Sequence, residues 1–347
     1  MSEQTMGDLG RQEALFYEKL PENRVLCRLC PQHCRIGPDQ RGFCRVRKNI
    51  DGVLYTTNYA QATSYAVDPT EKKPLYHFYP GSYLFSLGTL GCNFRCGFCQ
   101  NWQISQRDAP TETLTPREAV DLATEIRRRE PEMIGIAYTY SEPSVWYEYV
   151  LDTAELAHAA GLKNVLVTNG FIEEEPLTKL LSYVDAMNID VKAFTDDYYR
   201  KICSGHLDPV LRTVEQAHRA GVHVEVTTLI VPTLNDSEEE ISALVEWLAG
   251  VGPEIPYHLS RYFPSYKMDL PATPPATLEK LRQVARRKLR YVYVGNLRGD
   301  GNNTYCYNCG ALLIRRAGMG VAESRLGHDG RCPDCGTAID IRGQVMV

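Results

Sequence analysis

Three cysteines set the chemistry open to this chain. They lie in Gly91-Cys92-Asn-Phe-Arg-Cys96-Gly-Phe98-Cys99-Gln100-Asn101, spaced C-x3-C-x2-C. A [4Fe–4S] cubane ordinarily takes four thiolates, so a set of three leaves one iron open, and an open position is where chemistry can happen. The blander readings of the same residues are a zinc ion completed by a distant histidine, or a disulfide plus a free thiol.

Two larger groups flank this set. Cys27, Cys30, Cys34 and Cys44 fall within one short segment and suit a single metal centre, either zinc or an Fe–S cluster, with His33 read as a bystander. Cys306-x2-Cys309-Gly310 and Cys332-x2-Cys335-Gly336 are paired knuckles of the structural zinc-ribbon kind, with an auxiliary Fe–S cluster as the alternative. Residues 312–325 between the knuckles must loop out. Cys203 has no partner in the sequence and reads as a buried structural thiol.

Polar residues recur at places where strands should end. Tyr138-Thr-Tyr-Ser141-Glu142-Pro143 is an acid-bearing turn able to accept hydrogen bonds from an ammonium group. Thr168-Asn169-Gly170 is either a second binding loop or only a turn. Within Asn188-Ile-Asp190-Val-Lys192, alternation puts the three polar side chains on one face. Asp190 and Lys192 are either part of a site or a structural ion pair. His258, in Tyr257-His258-Leu-Ser-Arg261, is either a site residue or a satisfied core histidine.

The elements that must carry these residues alternate. Strands are predicted at 83–88, 133–140, 164–168, 184–192, 222–231, 257–260 and 291–294. Helices are predicted at 143–160, 173–181, 208–220, 236–249 and 277–289, with a further start at Thr115-Pro116-Arg-Glu118. Such alternation means parallel βαβ units, so the fold class is α/β: a full or partial β/α barrel, with a doubly wound sheet as the alternative. In a barrel, groups at the C-terminal ends of strands form the active site, which is where the three-cysteine loop falls. The expected division is a Cys-rich region at 1–80, a barrel at 81–300 and a ribbon-like segment at 301–347. Residues 1–20 read as polar with weak helical character.

The 347 residues correspond to about two domains, or one large domain with appendages. A net charge of −5 argues against a nucleic-acid binder working through a basic field. No apolar run reaches transmembrane length, and Met-Ser-Glu-Gln-Thr-Met-Gly-Asp is not a secretory signal, so a cytoplasmic location is the default.

The three-cysteine loop resembles that of the radical S-adenosylmethionine (SAM) enzymes. The resemblance implies that Cys92, Cys96 and Cys99 ligate a [4Fe–4S] cluster whose fourth iron chelates SAM, with a 5′-deoxyadenosyl radical as the product of cleavage. It implies cofactor contacts among Phe98, Ser141, Glu142, Asn169, Asp190, Lys192 and His258. The family's Gly-Gly-Glu-type motif has Tyr140 and Ser141 in place of its glycines here. Residues 20–347 together resemble the radical SAM enzyme of the AmmeMemoRadiSam system. The stretches that carry this are 27–34, 68–78, 91–106, 138–143, 188–192, 258–264, 291–296 and 303–306. That likeness suggests AMMECR-type and Memo-type proteins as partners. A flavodoxin or ferredoxin is expected as reductant, and the substrate, protein or small molecule, is not implied. A glycyl-radical activase of the pyruvate formate-lyase-activating kind is the alternative within the class. A metal-stabilised scaffold without chemistry is the alternative outside it.

Overall fold

The computed structural model describes residues 10–297, 299–327 and 329–347. The Met1–Asp8 stretch, read above as no secretory signal, lies outside the described residues. At the centre is an eight-stranded sheet. Its strands are β1 (Ser64–Pro69), β2 (Tyr83–Gly88), β3 (Met133–Tyr138), β4 (Lys163–Thr168), β5 (Ala186–Asp190), β6 (His223–Ile230), β7 (Tyr257–Arg261) and β8 (Val292–Gly295). They run in spatial order β8-β7-β6-β5-β4-β3-β2-β1. β2 to β8 are parallel, and β1 pairs antiparallel with β2.

This order decides between the two α/β architectures. Strands that follow one another in space as in sequence, with right-handed crossovers, place every crossover helix on the same face. The other face then curves inward. A doubly wound sheet must reverse its order, and this one does not. Among the described residues no ladder joins β8 to β1, so the barrel is partial.

The helices on the outer face are α1 (Pro116–Arg129), α2 (Tyr147–Ala159), α3 (Glu174–Leu181), α4 (Asp208–Arg219), α5 (Glu238–Val251) and α6 (Pro275–Ala285). α1 starts at a capping box: Thr115 Oγ1 accepts from Glu118 N–H, and Glu118 Oε2 accepts from Thr115 N–H. Its buried positions, Pro116, Ala119, Val120 and Ala123, recur at helical spacing. α4 does the same with Val210, Thr213, Val214 and Ala217. β3 is buried along its whole length, as a strand covered on both faces must be. Its Gly135 is required there, because a Cβ would come within 2.0 Å of Lys163 O on β4.

The flanking regions are built from small antiparallel sheets. Tyr17–Leu20, Arg24–Cys27 and Arg35–Ile36 form one, and Gln12–Glu13, Val53–Thr56 and Arg47–Ile50 another. The helical reading of residues 10–20 is therefore corrected. Tyr17–Leu20 is four residues long, too short to sustain a helix, and its backbone is satisfied by pairing with Arg24–Cys27. In the C-terminal region β9 (Thr304–Tyr305), β10 (Leu312–Ala317) and β11 (Gly320–Ser324) form a sheet, and the stretch expected to loop out is the β10–β11 hairpin.

Candidate active site at the C-terminal ends of the strands

The loop after β2 presents Cys92 and Cys99 half-buried and Cys96 buried. Each outer sulfur meets hydrogen-bonding groups. Phe94 N–H donates to Cys92 Sγ at 3.4 Å, and Asn169 Nδ2 lies 3.7 Å from the same sulfur. Ser105 Oγ is 3.2 Å from Cys99 Sγ. Donors aimed at sulfur are what an anionic thiolate-bound cluster requires. As free thiols, Cys92 and Cys99 are pushed up by burial. Cys96 is pushed up by its neighbour Cys203 and then by burial. The contact between Cys203 and Cys96 was not readable from sequence, because a turn at Tyr199–Cys203 carries it back to the loop, where Arg95 N–H donates to Cys203 O at 2.8 Å.

The next two loops are joined by one carboxylate. Buried Glu142, after β3, accepts from Ser144 N–H at 2.9 Å, Thr168 Oγ1 at 2.7 Å and Asn169 N–H at 2.8 Å. Glu142 thus fixes where Asn169 stands. Asn169 Nδ2 in turn donates to Asn93 Oδ1 at 2.8 Å, tying the loop after β4 to the cysteine loop. Ser141 Oγ is buried and unpartnered. Tyr140 takes φ +68°, the left-handed conformation a glycine adopts without cost. Strain of this kind costs about 1–3 kcal/mol and persists only where neighbours hold it. Here its hydroxyl donates to Asp68 Oδ2, its carbonyl accepts from Asn101 Nδ2 at 2.7 Å, and Lys73 Nζ lies 4.6 Å from its ring centre.

Asp190 and Lys192 pair at 3.0 Å. Burial disfavours the Lys192 ammonium, but the Asp190 carboxylate beside it holds its pKa well above the ordinary value. The charged pair therefore sits at the cysteine loop, with Phe98 5.9 Å from Lys192 Nζ. His258 is placed differently. Its Nε2 lies 2.7 Å from Glu225 Oε2, and Glu225 also takes His77 N–H at 2.7 Å and His223 Nε2 at 3.0 Å. The His258 ring is buried against Tyr76 and Tyr293. It belongs to this buried network and also borders a cavity.

That cavity, of about 730 Å³, is bounded by Thr227 of β6, His258 and Ser260 of β7, Gly295 of β8 and Glu71, Lys72, Pro74 and Tyr76 after β1. Gln100, directly after Cys99, reaches it from the cluster loop, and Arg315 to Met319 of the β10–β11 hairpin close its outer side. Arg316 fastens the hairpin there. It pairs with buried Glu71 at 3.4 Å, donates to Tyr76 O at 2.7 Å and lies 4.3 Å from the Tyr76 ring centre.

The other two cysteine groups differ in spacing. The sulfurs of Cys306, Cys309, Cys332 and Cys335 all lie within 4.8 Å of one another, with 3.6 Å between Cys306 and Cys335 and 3.7 Å between Cys309 and Cys332. Four thiolates around one tetrahedral ion at a bond length of about 2.3 Å stand at about this separation, so the group could hold one metal ion. Among the described residues no other three metal-ligating side chains come this close. Cys27, Cys30, Cys34 and Cys44 instead line one small pocket with Leu29, Ile36, Phe43 and Val145. His33 is turned away to Glu173 at 2.8 Å.

Comparison with known proteins agrees with this architecture. The radical SAM superfamily profile matches residues 87–248. An uncharacterized protein from Methanocaldococcus jannaschii is 48% identical over 338 residues, spanning 95% of this chain and 99% of that one. A pyruvate formate-lyase-activating enzyme from Clostridium pasteurianum is 27% identical over 183 residues, 48% of this chain and 72% of the relative. The crystal structure of a radical SAM methyltransferase from Sphaerobacter thermophilus superposes with a TM-score of 0.50 at 18% identity, over 68% of this chain and 71% of that one, a likeness of fold. Residues 87–248 form a radical SAM superfamily domain. Such a domain implies a [4Fe–4S] cluster and SAM, and three cysteines, two of them with donors on their sulfurs, fit such a cluster. No helix among the described residues is long and apolar enough to cross a membrane.

Proposed function

We propose that this chain is an enzyme that cleaves SAM reductively at a cluster held by Cys92, Cys96 and Cys99 and abstracts hydrogen from a substrate in the 730 Å³ chamber. The observation that carries this is the position of the three-cysteine loop, after the first parallel strand and with Gln100 opening onto the chamber. When bound, the cluster supplies the electron that breaks the SAM S–C5′ bond. The chain's own residues orient and enclose. Ser141 Oγ is a free polar group for the methionine end of SAM, Glu142 and Asn169 hold the loops in register, and Asp190 with Lys192 sets the charge beside the cluster. His258 works at the chamber wall through Glu225 rather than at the cluster.

The C-terminal cysteine group is proposed to hold zinc, on the strength of its sulfur spacing. A one-electron donor of the flavodoxin or ferredoxin kind supplies the reductant. Twelve free thiols and an oxygen-sensitive cluster suit the reducing cytoplasm. The AmmeMemoRadiSam assignment and its AMMECR-type and Memo-type partners are proposed on the sequence resemblance alone.

The test is anaerobic reconstitution with iron and sulfide, followed by reduction and assay for 5′-deoxyadenosine. Wild type should form it, and a Cys96→Ala variant that still formed it would sink the assignment. A second reading, a glycyl-radical activase, is favoured by the relatives named as activating enzymes. It predicts an EPR glycyl doublet on a partner protein incubated with reduced enzyme and SAM.

A further inference from the structure

We infer that Cys27, Cys30, Cys34 and Cys44 together hold a second iron–sulfur cluster, ligated at every corner and closed to SAM, which shares the Arg95 guanidinium with the first. Three observations lead there. The first is spacing. The C-terminal cysteines have closed to the separation of a single tetrahedral ion, whereas these four are not gathered into such a group. A polynuclear cluster spreads its cysteine sulfurs, since each ligates a different iron or a different side of the core. The four still line one small, mostly apolar pocket.

The second is the set of groups aimed at sulfur. Phe43 N–H donates to Cys34 Sγ at 3.3 Å, and the backbone amides of Gln32 and Val46 reach Cys30 and Cys44. Buried Arg47 brings Nη1 to 3.9 Å from Cys27 Sγ while pairing with Glu148. Amide and guanidinium donors on every sulfur describe a site for a metal-bound thiolate, not for four idle thiols.

The third is Arg95. It is half-buried and, among the described residues, makes no ion pair with a carboxylate. Its Nη1 donates to Cys92 O at 3.1 Å, its Nη2 donates to Phe43 O, and its guanidinium lies 4.2 Å from the Phe43 ring centre. It therefore stands between the cysteine loop after β2 and the residue whose amide holds Cys34. Gln32 makes a parallel connection: its backbone serves Cys30, and its side chain donates to Asn93 O at 3.0 Å. A desolvated cation without a carboxylate is costly unless anions flank it, and two thiolate-ligated clusters supply them.

The test removes the first cluster and asks whether iron remains. The full chain carrying Cys92→Ala, Cys96→Ala and Cys99→Ala is reconstituted anaerobically with iron and sulfide. Iron with matching acid-labile sulfide and an EPR signal on reduction are expected, and both should disappear when Cys30→Ser and Cys34→Ser are added. Zinc alone, no metal, or iron indifferent to the added serines would each overturn the site. The shared-charge part rests on the radical SAM reading and is read separately, by EPR-monitored redox titration of Arg95→Gln. Both midpoint potentials should fall, since the reduced forms carry more negative charge; an unchanged second potential would refute the sharing. Formation of 5′-deoxyadenosine by wild type reports on the first cluster alone, so the two failures are distinguishable.

Discussion

The Tyr140 hydroxyl donates to Asp68 Oδ2 at 2.5 Å, linking the turn after β3 to the antiparallel edge strand β1. This bond holds a tyrosine in the left-handed conformation that glycine adopts without cost. Asp68 is also paired with Lys72 and Lys73 at 2.7 Å each, so the acceptor is itself fixed. Tyr140→Phe should cost about 1.5–3 kcal/mol, the value of a hydrogen bond to a charged group. Chemical denaturation checks this, and Tyr140→Gly, which loses the same bond, should also relieve the backbone strain that Tyr140→Phe keeps.

Arg316 and Glu71 are each about 1% exposed and pair across the junction of barrel and ribbon. Arg316→Gln leaves Glu71 buried without its cation and should destabilise by about 3–5 kcal/mol. The double variant Glu71→Gln, Arg316→Gln should recover part of that loss. Denaturation midpoints of the three proteins against wild type measure both effects.

The C-terminal group should bind one metal ion and bind it independently of iron. Cys332→Ala, or chelation with a strong zinc ligand, is expected to remove zinc and lower the melting temperature while iron content is retained. Metal analysis beside calorimetry gives the answer; a drop in iron of equal size would show instead that the ribbon holds a cluster.

His77 makes stability depend on pH. Burial pushes its imidazole down to about 4, and its ring nitrogens are taken by Asp340 O and the Tyr293 hydroxyl. In the unfolded chain it titrates near about 6.5. Between those values the unfolded state binds more protons. Stability is therefore complete above about pH 6.5 and is lost as pH falls toward about 4, by roughly 3 kcal/mol in all. Burial works against the Glu225 charge, but His223 and His258 hold its carboxyl well below the usual range, which acts in the same direction at lower pH. His77→Gln should flatten the upper part of that dependence in urea melts at pH 7, 6 and 5.

Sequence carried the barrel well, because each strand reads as a short apolar run and each helix has a local start or stop. The Thr115–Glu118 capping box and the stop at Gly161 are examples decided within a few residues. It carried the position of the cysteine loop for the same reason, since Tyr83–Gly88 is a recognisable strand. It did not carry what depends on distant partners. The left-handed Tyr140 is set by Asp68, the carboxylate on His258 comes from a neighbouring strand in the register Thr227 opposite His258, and Cys203 meets Cys96 only through tertiary packing. The strands at 12–20 were missed because polar residues paired at a surface show no apolar period.

The final stretch of described chain runs beside residues 77–80. Arg342 N–H donates to His77 O, Tyr79 N–H donates to Arg342 O, and Met346 N–H donates to Pro80 O. A ribosome makes residues 77–80 long before it makes 340–346. The nascent barrel therefore emerges with its His77–Glu225 network uncovered, and residues 340–346, translated later, are the ones that seal it. Assembly is ordered accordingly: a chain arrested before Asp340 can carry every cysteine and every strand of the sheet and still lack the Asp340 carbonyl that His77 Nδ1 requires.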